Sequence, residues 1–426
     1  MNRPYKLFRD PVHGFIRVER DFLAIIDTYA FQRLRRLSQL GTSYITYHGG
    51  EHTRFGHSLG VFHLFNKLAD HFAEIGQPFN AEEILAGRCA ALLHDIGHGP
   101  LSHTLEGLLG EYGRHEQWSM RIIQEDPELS GALRQFDPQL PEQVSAILAG
   151  TSSMKRVEML ISGQIDADRM DYLMRDSLFT GAMYGRFDYE RLIEMLSFHH
   201  DELVVARKGL STAEAYLMAR YNMYWQVYLH RTTRGLECML KSIWKRAEYL
   251  YREGQLREHQ DVSSRFIPFL TGNVTVKEYL ALDDSDIYVA LKDFTNHSDP
   301  ILADLAHRIL HRRLLKPVQL PSDYNPTATL EVNKLIHQYG YEPEYYLLFD
   351  QSSNIAYDYY IAGEEGGWKH NTIFTTNQYG EIVEISRQSD TIRAISHPRG
   401  GTTLFVPEEC RQAVHTIYYG NQREGG

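Results

Sequence analysis

The sequence predicts a mainly α-helical bundle with a short N-terminal β-hairpin and a small α+β C-terminal domain. Three observations carry this expectation. Between Ser58 and Ile75 the apolar residues Leu59, Phe62, Phe65, Leu68 and Phe72 fall on one helical stripe. Residues 6–19 alternate on either side of Pro11-Val12-His13-Gly14, as two short strands joined by a tight turn do. After Lys316 the texture changes: Pro317, Pro321 and Pro326 read as a linker, and short β-type runs follow. The expected division is a helical core over residues 1–320 and an α+β domain over 321–426.

The elements follow in order. Phe22, Ile25, Ile26 and Tyr29 recur at helical spacing, and Phe31 to Leu40 carry a basic face. Asn80 with Glu83 is a capped start for a helix running to about His94, where Gly99-Pro100 stops it. Asp168, Asp171, Tyr172, Arg175 and Asp176 share one face of a later helix. Residues 212–252 read as a long aromatic-rich helix broken once, and Asp299 to Leu315 as another helix. Strands are expected at 345–349, 373–376 and 381–385, the last two flanking the turn Asn377-Gln378-Tyr379-Gly380.

Composition sets limits. The 426 residues are 43% hydrophobic, enough for a substantial core. A formal net charge of −11 argues against wrapping nucleic acid, which needs a broad basic surface, but allows a local basic pocket for phosphates. The three cysteines, Cys89, Cys238 and Cys410, form no CxxC pair, which fits a reducing compartment. No apolar run is long enough to span a bilayer and Met1–Lys6 has no signal core, so a cytoplasmic protein without a membrane partner is expected.

The chemistry concentrates in Leu92-Leu93-His94-Asp95-Ile96-Gly97-His98-Gly99-Pro100-Leu101-Ser102-His103. A His-Asp pair presents an imidazole nitrogen and a carboxylate oxygen to one cation. His57 upstream, His94 and Asp95, and a distant Asp at 166 or 168 supply two nitrogens and two oxygens. That mixed set suits Mg, Mn, Fe or Zn with positions open to water or phosphate. The three carboxylates on the 168–176 face repel one another unless a cation or donors stand opposite. His98, His103, Glu106 and His115 form a second group, readable as a polar loop and helix start or as phosphate chemistry. Cleaving a phosphoester needs neutralised oxygens, a positioned water and a proton for the leaving oxygen, and histidine donates protons near neutral pH. A third group, Asp27, Gln32 and Arg35, is either an ordinary helix surface or a reader of a guanine edge, the carboxylate accepting its N–H groups and Arg donating to its oxygen.

RFGHSLG, HDIGHGPLSH, His115-Glu116 and IDADRMDY stand in an order that resembles the HD-domain phosphohydrolases. More narrowly, the chain resembles the deoxynucleoside triphosphate (dNTP) triphosphohydrolases related to the animal enzyme with SAM and HD domains, from about Lys6 to about Arg234, without the SAM domain. The resemblance implies an HD-domain bundle and His57, His94, Asp95 and Asp168 as metal ligands, with Asp166 as a helix cap. It makes His98, His103, Glu106 and His115 catalytic: His103 donates a proton, steered by Glu106, where the family usually has Asp, and His98 and His115 hold phosphate oxygens. Gln39, Arg54, Arg169, Tyr172 and Asp176 match positions that contact the sugar, the nucleotide and its phosphates. A Tyr ring under the sugar leaves little space at the 2′ carbon. Lys6, Asp27, Gln32 and Arg35 match an allosteric guanine-nucleotide site, although Arg9 stands where the animal enzyme has Asn. Tyr228, His230 and Arg231 read equally as phosphate contacts or as the end of an aromatic core helix.

The implied activity is metal-dependent hydrolysis of dNTPs to deoxynucleoside and inorganic triphosphate by a homo-oligomer, a tetramer by analogy, activated by a guanine nucleotide. The rivals are another HD activity (phosphodiesterase, nuclease or nucleotide phosphatase) and a nucleotide-binding sensor or scaffold. No Gly-Tyr-Pro signature accompanies the His-Asp pair, against a cyclic-dinucleotide esterase, and all four ligand positions are filled, against a sensor.

Overall fold

The computed structural model of the protein describes residues 4–101, 104, 114–257, 262–272, 274–325, 327–354, 372–397 and 399–420. Strand β1 (Tyr5–Asp10) pairs antiparallel with β2 (Gly14–Glu19), in register from Tyr5 opposite Glu19 to Asp10 opposite Gly14. The Asp10 carboxylate accepts the backbone N–H groups of Val12 and His13, each at 2.9 Å, and Gly14 takes φ of 73°, a left-handed value that favours glycine. Ile16 and Val18 on the inner face are fully buried.

The core of the bundle is the pair α1 (Arg54–Glu74) and α2 (Ala81–Leu93). Phe62, Phe65, Leu68 and Phe72, the stripe seen in the sequence, are all 0% exposed on α1. Asn80 caps α2 in a full capping box with Glu83. The two helices approach closely at Gly87, where an added Cβ would run into the ring of Phe65. Alanine is ordinarily the better helix former by about 1 kcal/mol. Here overpacking against a ring that has no room to move costs about 1–3 kcal/mol. Gly87→Ala is therefore expected to lower the melting temperature, and an unchanged or higher one would contradict this packing.

Helix α3 (His115–Glu125) and helix α4 (Ala167–Thr180) complete the part of the bundle around the site. A hairpin not anticipated from the sequence follows, β3 (Leu196–His199) and β4 (Glu202–Val205). Its turn, His200-Asp201, has two non-glycine residues at positive φ and no Gly or Pro. The long helix expected over 212–252 is broken once: α5 (Leu210–Met223) runs into a π-helical turn at Tyr224–Tyr228, and α6 (Arg231–Arg252) restarts behind His230, whose ring accepts the N–H of Thr232. Helix α7 (Pro300–Leu310) begins at the Asp299 cap as expected but ends before Leu315, where Arg312 turns to φ of 54°.

Two expectations need correction beyond this point. The linker-like segment contains a strand, β5 (Lys316–Gln319), which tolerates Pro317 because it lies at the edge of its sheet. The strand expected at 345–349 starts late: Pro343–Tyr346 form a helical turn that buries Tyr345 and Tyr346, and β6 runs from Leu348 to Asn354. Strands β7 (Phe374–Thr376) and β8 (Ile382–Glu384) flank the expected turn, with Gly380 at φ of 81°. Strand β9 (Arg399–Val406) lies between β5 and β6, and the other sheet runs β3-β4-β7-β8 with β4 and β7 parallel. Both sheets thus join chain from either side of residue 320. The result is the expected class, a helical bundle with an N-terminal hairpin and a small C-terminal α+β part. Among the described residues no helix is long and apolar enough to cross a membrane, and the three cysteines are free.

Candidate metal centre and adjoining cavity

Three elements meet at one point. His57 stands in the first turn of α1, one turn after Arg54. His94 caps the C-terminal end of α2, with Asp95 behind it. Asp168 occupies the first turn of α4, while Asp166 is the helix cap and accepts the N–H of Arg169 at 2.7 Å. His57 Nε2 lies 3.1 Å from His94 Nε2 and 3.0 Å from Asp168 Oδ1, and His94 Nε2 lies 3.6 Å from Asp168 Oδ1. Asp95 flanks the group, its oxygens 3.4 Å from His94 Nε2 and 3.7 Å from His57 Nε2.

These residues fit a divalent cation. His94 Nδ1 lies 2.9 Å from the Ala91 carbonyl, which only accepts, so that nitrogen carries the proton. His57 Nδ1 lies 2.7 Å from the carboxylate of Asp171, which is held well below the usual carboxylate range: burial works against its charge, but Arg175, His13 and His57 outweigh it. Both Nε2 lone pairs therefore turn toward each other and toward Asp168, and only a proton or a cation relieves that convergence. Ligand atoms about 2.1 Å from one ion at right angles lie about 3 Å apart, close to the spacings seen. Burial would lower the His57 pKa, but hydrogen bonds to Asp168 and Asp171 and the charge of Asp95 overcome it and push it up to about 10. The same balance holds Asp95 well below the ordinary range, where burial is outweighed by Arg54, His94 and His57.

Beside the cluster opens a cavity of about 350 Å³. Arg54, whose guanidinium donates to Asp95, forms its wall with Gln39, His98 and His115. His98 Nδ1 lies 3.3 Å from Asp95 Oδ1, and its ring stacks on that of His115 with centroids 3.9 Å apart. His103 and Glu106 lie outside the described residues. Tyr172, Asp176, Tyr224 and Tyr228 also line it. Both oxygens of Asp176 are held at 2.7 Å, one by His52 Nε2 and one by the hydroxyl of Tyr228. The π-helical turn, whose extra residue per turn is often found at functional sites, carries Tyr224 and Tyr228. Arg169 points elsewhere: its guanidinium donates to Asp166 and to the Gly163 carbonyl, and it does not line the cavity. His230 caps α6, and neither it nor Arg231 lines the cavity.

The third group sits on the surface. Gln32 donates to the Ile26 carbonyl at 2.8 Å and accepts from Arg35 Nε at 2.9 Å, while the Arg35 guanidinium lies over the Phe55 ring at 3.4 Å. Asp27 is exposed just past a short helix, and Lys6 is exposed on β1 over the Phe8 ring.

Several supporting residues escaped the sequence reading. Arg33, within the stretch Phe31 to Leu40 that carries the basic face, is 0% exposed and donates to the carbonyls of His98 and Leu282 at 2.9 and 2.7 Å. Asp284 accepts the N–H groups of Ser38 and Leu101, both at 2.8 Å, tying the two loops that border the cavity. His52 had nothing to distinguish it among 21 histidines.

Comparison with known proteins agrees with this geometry. Residues 54–176 match the HD domain family, and residues 187–324 match the HD associated region. A phosphohydrolase of Bacteroides thetaiotaomicron is 31% identical and superposes with a TM-score of 0.82, over 94% of this chain and 99% of that one. The chain belongs to the HD-domain phosphohydrolase family. The YwfO protein of Bacillus subtilis is also similar, 41% identical over 95% of this chain and 92% of its own length. The deoxynucleoside triphosphate triphosphohydrolase SAMHD1 of Danio rerio is 27% identical over 77% of this chain, which spans 58% of that protein's length. The coarse identity of this HD-domain protein is thus a metal-dependent phosphohydrolase, with a His-His-Asp group able to hold its divalent ion.

Proposed function

We propose that this HD-domain protein is a dNTP triphosphohydrolase that releases deoxynucleoside and inorganic triphosphate. The observation that carries the reading is one cavity lined both by His57, Asp95 and Asp168 of the His-His-Asp cluster and by Tyr172 beside a doubly held Asp176. His57, His94, Asp95 and Asp168 would hold a divalent ion, which would supply Lewis-acid charge toward the bound phosphates. Arg54, His98 and His115 neutralise and orient phosphate oxygens, and water attacks the α-phosphorus, the proton it loses passing to solvent. The P–O5′ bond breaks, and His103, steered by Glu106, gives the leaving O5′ its proton. Gln39 and Asp176 take the sugar hydroxyl, and Tyr172 lies under the ring. Arg169 acts on this site only if it leaves Asp166. The relationship to proteins named as triphosphohydrolases supports this choice within the family.

The same reading takes residues 1–320 as the phosphohydrolase core and 321–426 as a C-terminal domain, and makes the protein a cytoplasmic homo-oligomer, a tetramer by analogy, with a guanine nucleotide at Lys6, Asp27, Gln32 and Arg35. The test is purified protein with each dNTP and NTP, several divalent metals, and product analysis. The expected result is intact triphosphate, dNTPs favoured over NTPs, and stimulation by a guanine dNTP that Asp27→Ala removes while metal binding persists. Stepwise monophosphate release, cleavage of diesters, or metal binding without turnover would replace this reading by one of its rivals.

A further inference from the structure

The N-terminal hairpin reaches the metal centre through an unbroken chain of buried groups. His13, in the turn between β1 and β2, places Nε2 2.7 Å from Asp171 Oδ1, and both side chains are 0% exposed. The other oxygen of that carboxylate accepts His57 Nδ1 at 2.7 Å. Arg175 grips Asp171 with Nε and Nη2, at 2.8 and 3.0 Å, and reaches back with Nη1 to Asp10 Oδ2 at 2.8 Å. Asp10 is the residue whose other oxygen closes the turn around His13. The hairpin tip thus holds Asp171 twice, directly through His13 and indirectly through Asp10 and Arg175. Gly60 on α1 makes room for this: a Cβ there would occupy the position of the Asp171 carboxylate and crowd Arg175. His13 is packed on its far side by the rings of His63 and Tyr189, 4.9 and 6.2 Å away between centroids.

We propose that His13 is a positioning residue of the metal centre, holding the Asp171 carboxylate so that His57 keeps its proton on Nδ1 and presents Nε2 to the ion. The inference rests on the reading of His57 as a ligand. Carboxylates behind a ligating imidazole fix its tautomer and orientation, and their loss typically costs 10–100-fold in metal affinity. The Asp171 carboxylate is itself held, by Arg175 on its own helix and by His13, a partner 158 residues away in the sequence.

The experiment measures Mn²⁺ and Zn²⁺ affinity of the full chain by competition with a chromogenic chelator, beside the thermal melt of the metal-free protein. His13→Leu keeps buried volume and removes the donor; His13→Gln keeps a donor. The expected result is an affinity about 10–100-fold weaker for His13→Leu and recovery of most of that loss in His13→Gln. Wild-type affinity in His13→Leu, or an equal loss in both variants, overturns the proposal, the latter because it assigns the effect to hairpin packing. If His13→Leu has no cooperative melt, Asp10→Asn, which weakens the hold on Arg175, carries the same expectation and the same refutation. Wild-type protein that binds neither metal overturns the metal-centre reading itself, a separate result.

Discussion

Asp95→Asn is expected to reduce turnover by about a thousandfold, about 4 kcal/mol of transition-state stabilisation, and to strip most of the bound metal while the helices remain folded. Asp95 lies where three functions cross. It accepts from the Arg54 guanidinium, faces His94 Nε2 at 3.4 Å, and stands 3.3 Å from His98 Nδ1. Removing its charge weakens the cation site and releases Arg54 and His98 together. Asparagine is the informative substitution because Arg54 is 3% exposed. Deleting one partner of a buried ion pair costs about 3–5 kcal/mol, which alanine would impose in full along with a small void. Metal content, a thermal melt and turnover measured on one preparation separate the effects. A folded variant with stoichiometric metal and wild-type turnover would remove Asp95 from the site.

The grouping of His57, His94 and Asp168 was legible because its pieces are local. A histidine and an aspartate next to each other at a helix end, or a D-x-D at a helix start, place groups by backbone geometry alone. Even the choice between Asp166 and Asp168 has a local cause: a residue at the cap turns its carboxylate onto the N–H of Arg169, leaving Asp168 to face His57. The bundle was legible for the same reason, since the stripe from Leu59 to Phe72 needs no knowledge of what it packs against.

What the sequence concealed is held by contacts between distant segments. Arg33 sits in a run of arginines that resembles a solvated face, and only the tertiary fold shows it buried beneath His98. His13 and His52 act through carboxylates on α4, 158 and 124 residues away, and no periodicity records such pairs. The strand β5 was hidden by Pro317, because an edge strand and a linker tolerate proline equally well. Tyr345 and Tyr346 have β-type side chains, yet Pro343 fixes the backbone at the first position of a helical turn and prevails.

Tyr172→Ala is expected to erase most of the preference for dNTPs over NTPs, changing the ratio of their kcat/KM values by about 10–100-fold. Helix α4 works as a ruler. Asp168, Tyr172 and Asp176 stand four residues apart on one face, so successive side chains are displaced by about 6 Å along the axis. Under the proposed reading that spacing would set a phosphate at the metal cluster, the sugar over the Tyr172 ring and its 3′-hydroxyl at Asp176. The ring is confined by Tyr228, 6.0 Å away edge to face, and the hydroxyl of Tyr228 is bound to Asp176, so the wall is not free to recede. In that pose a 2′-hydroxyl would meet the ring. Tyr172→Phe keeps that obstruction and should keep the selectivity. Asp176→Asn should behave differently: both sugars carry the 3′-hydroxyl, so its loss lowers dNTP and NTP turnover in parallel and leaves their ratio alone. Parallel kinetics of the three variants on dATP and ATP make the distinction. A ratio that Tyr172→Ala leaves unchanged would show that the sugar is read elsewhere than on this face of α4.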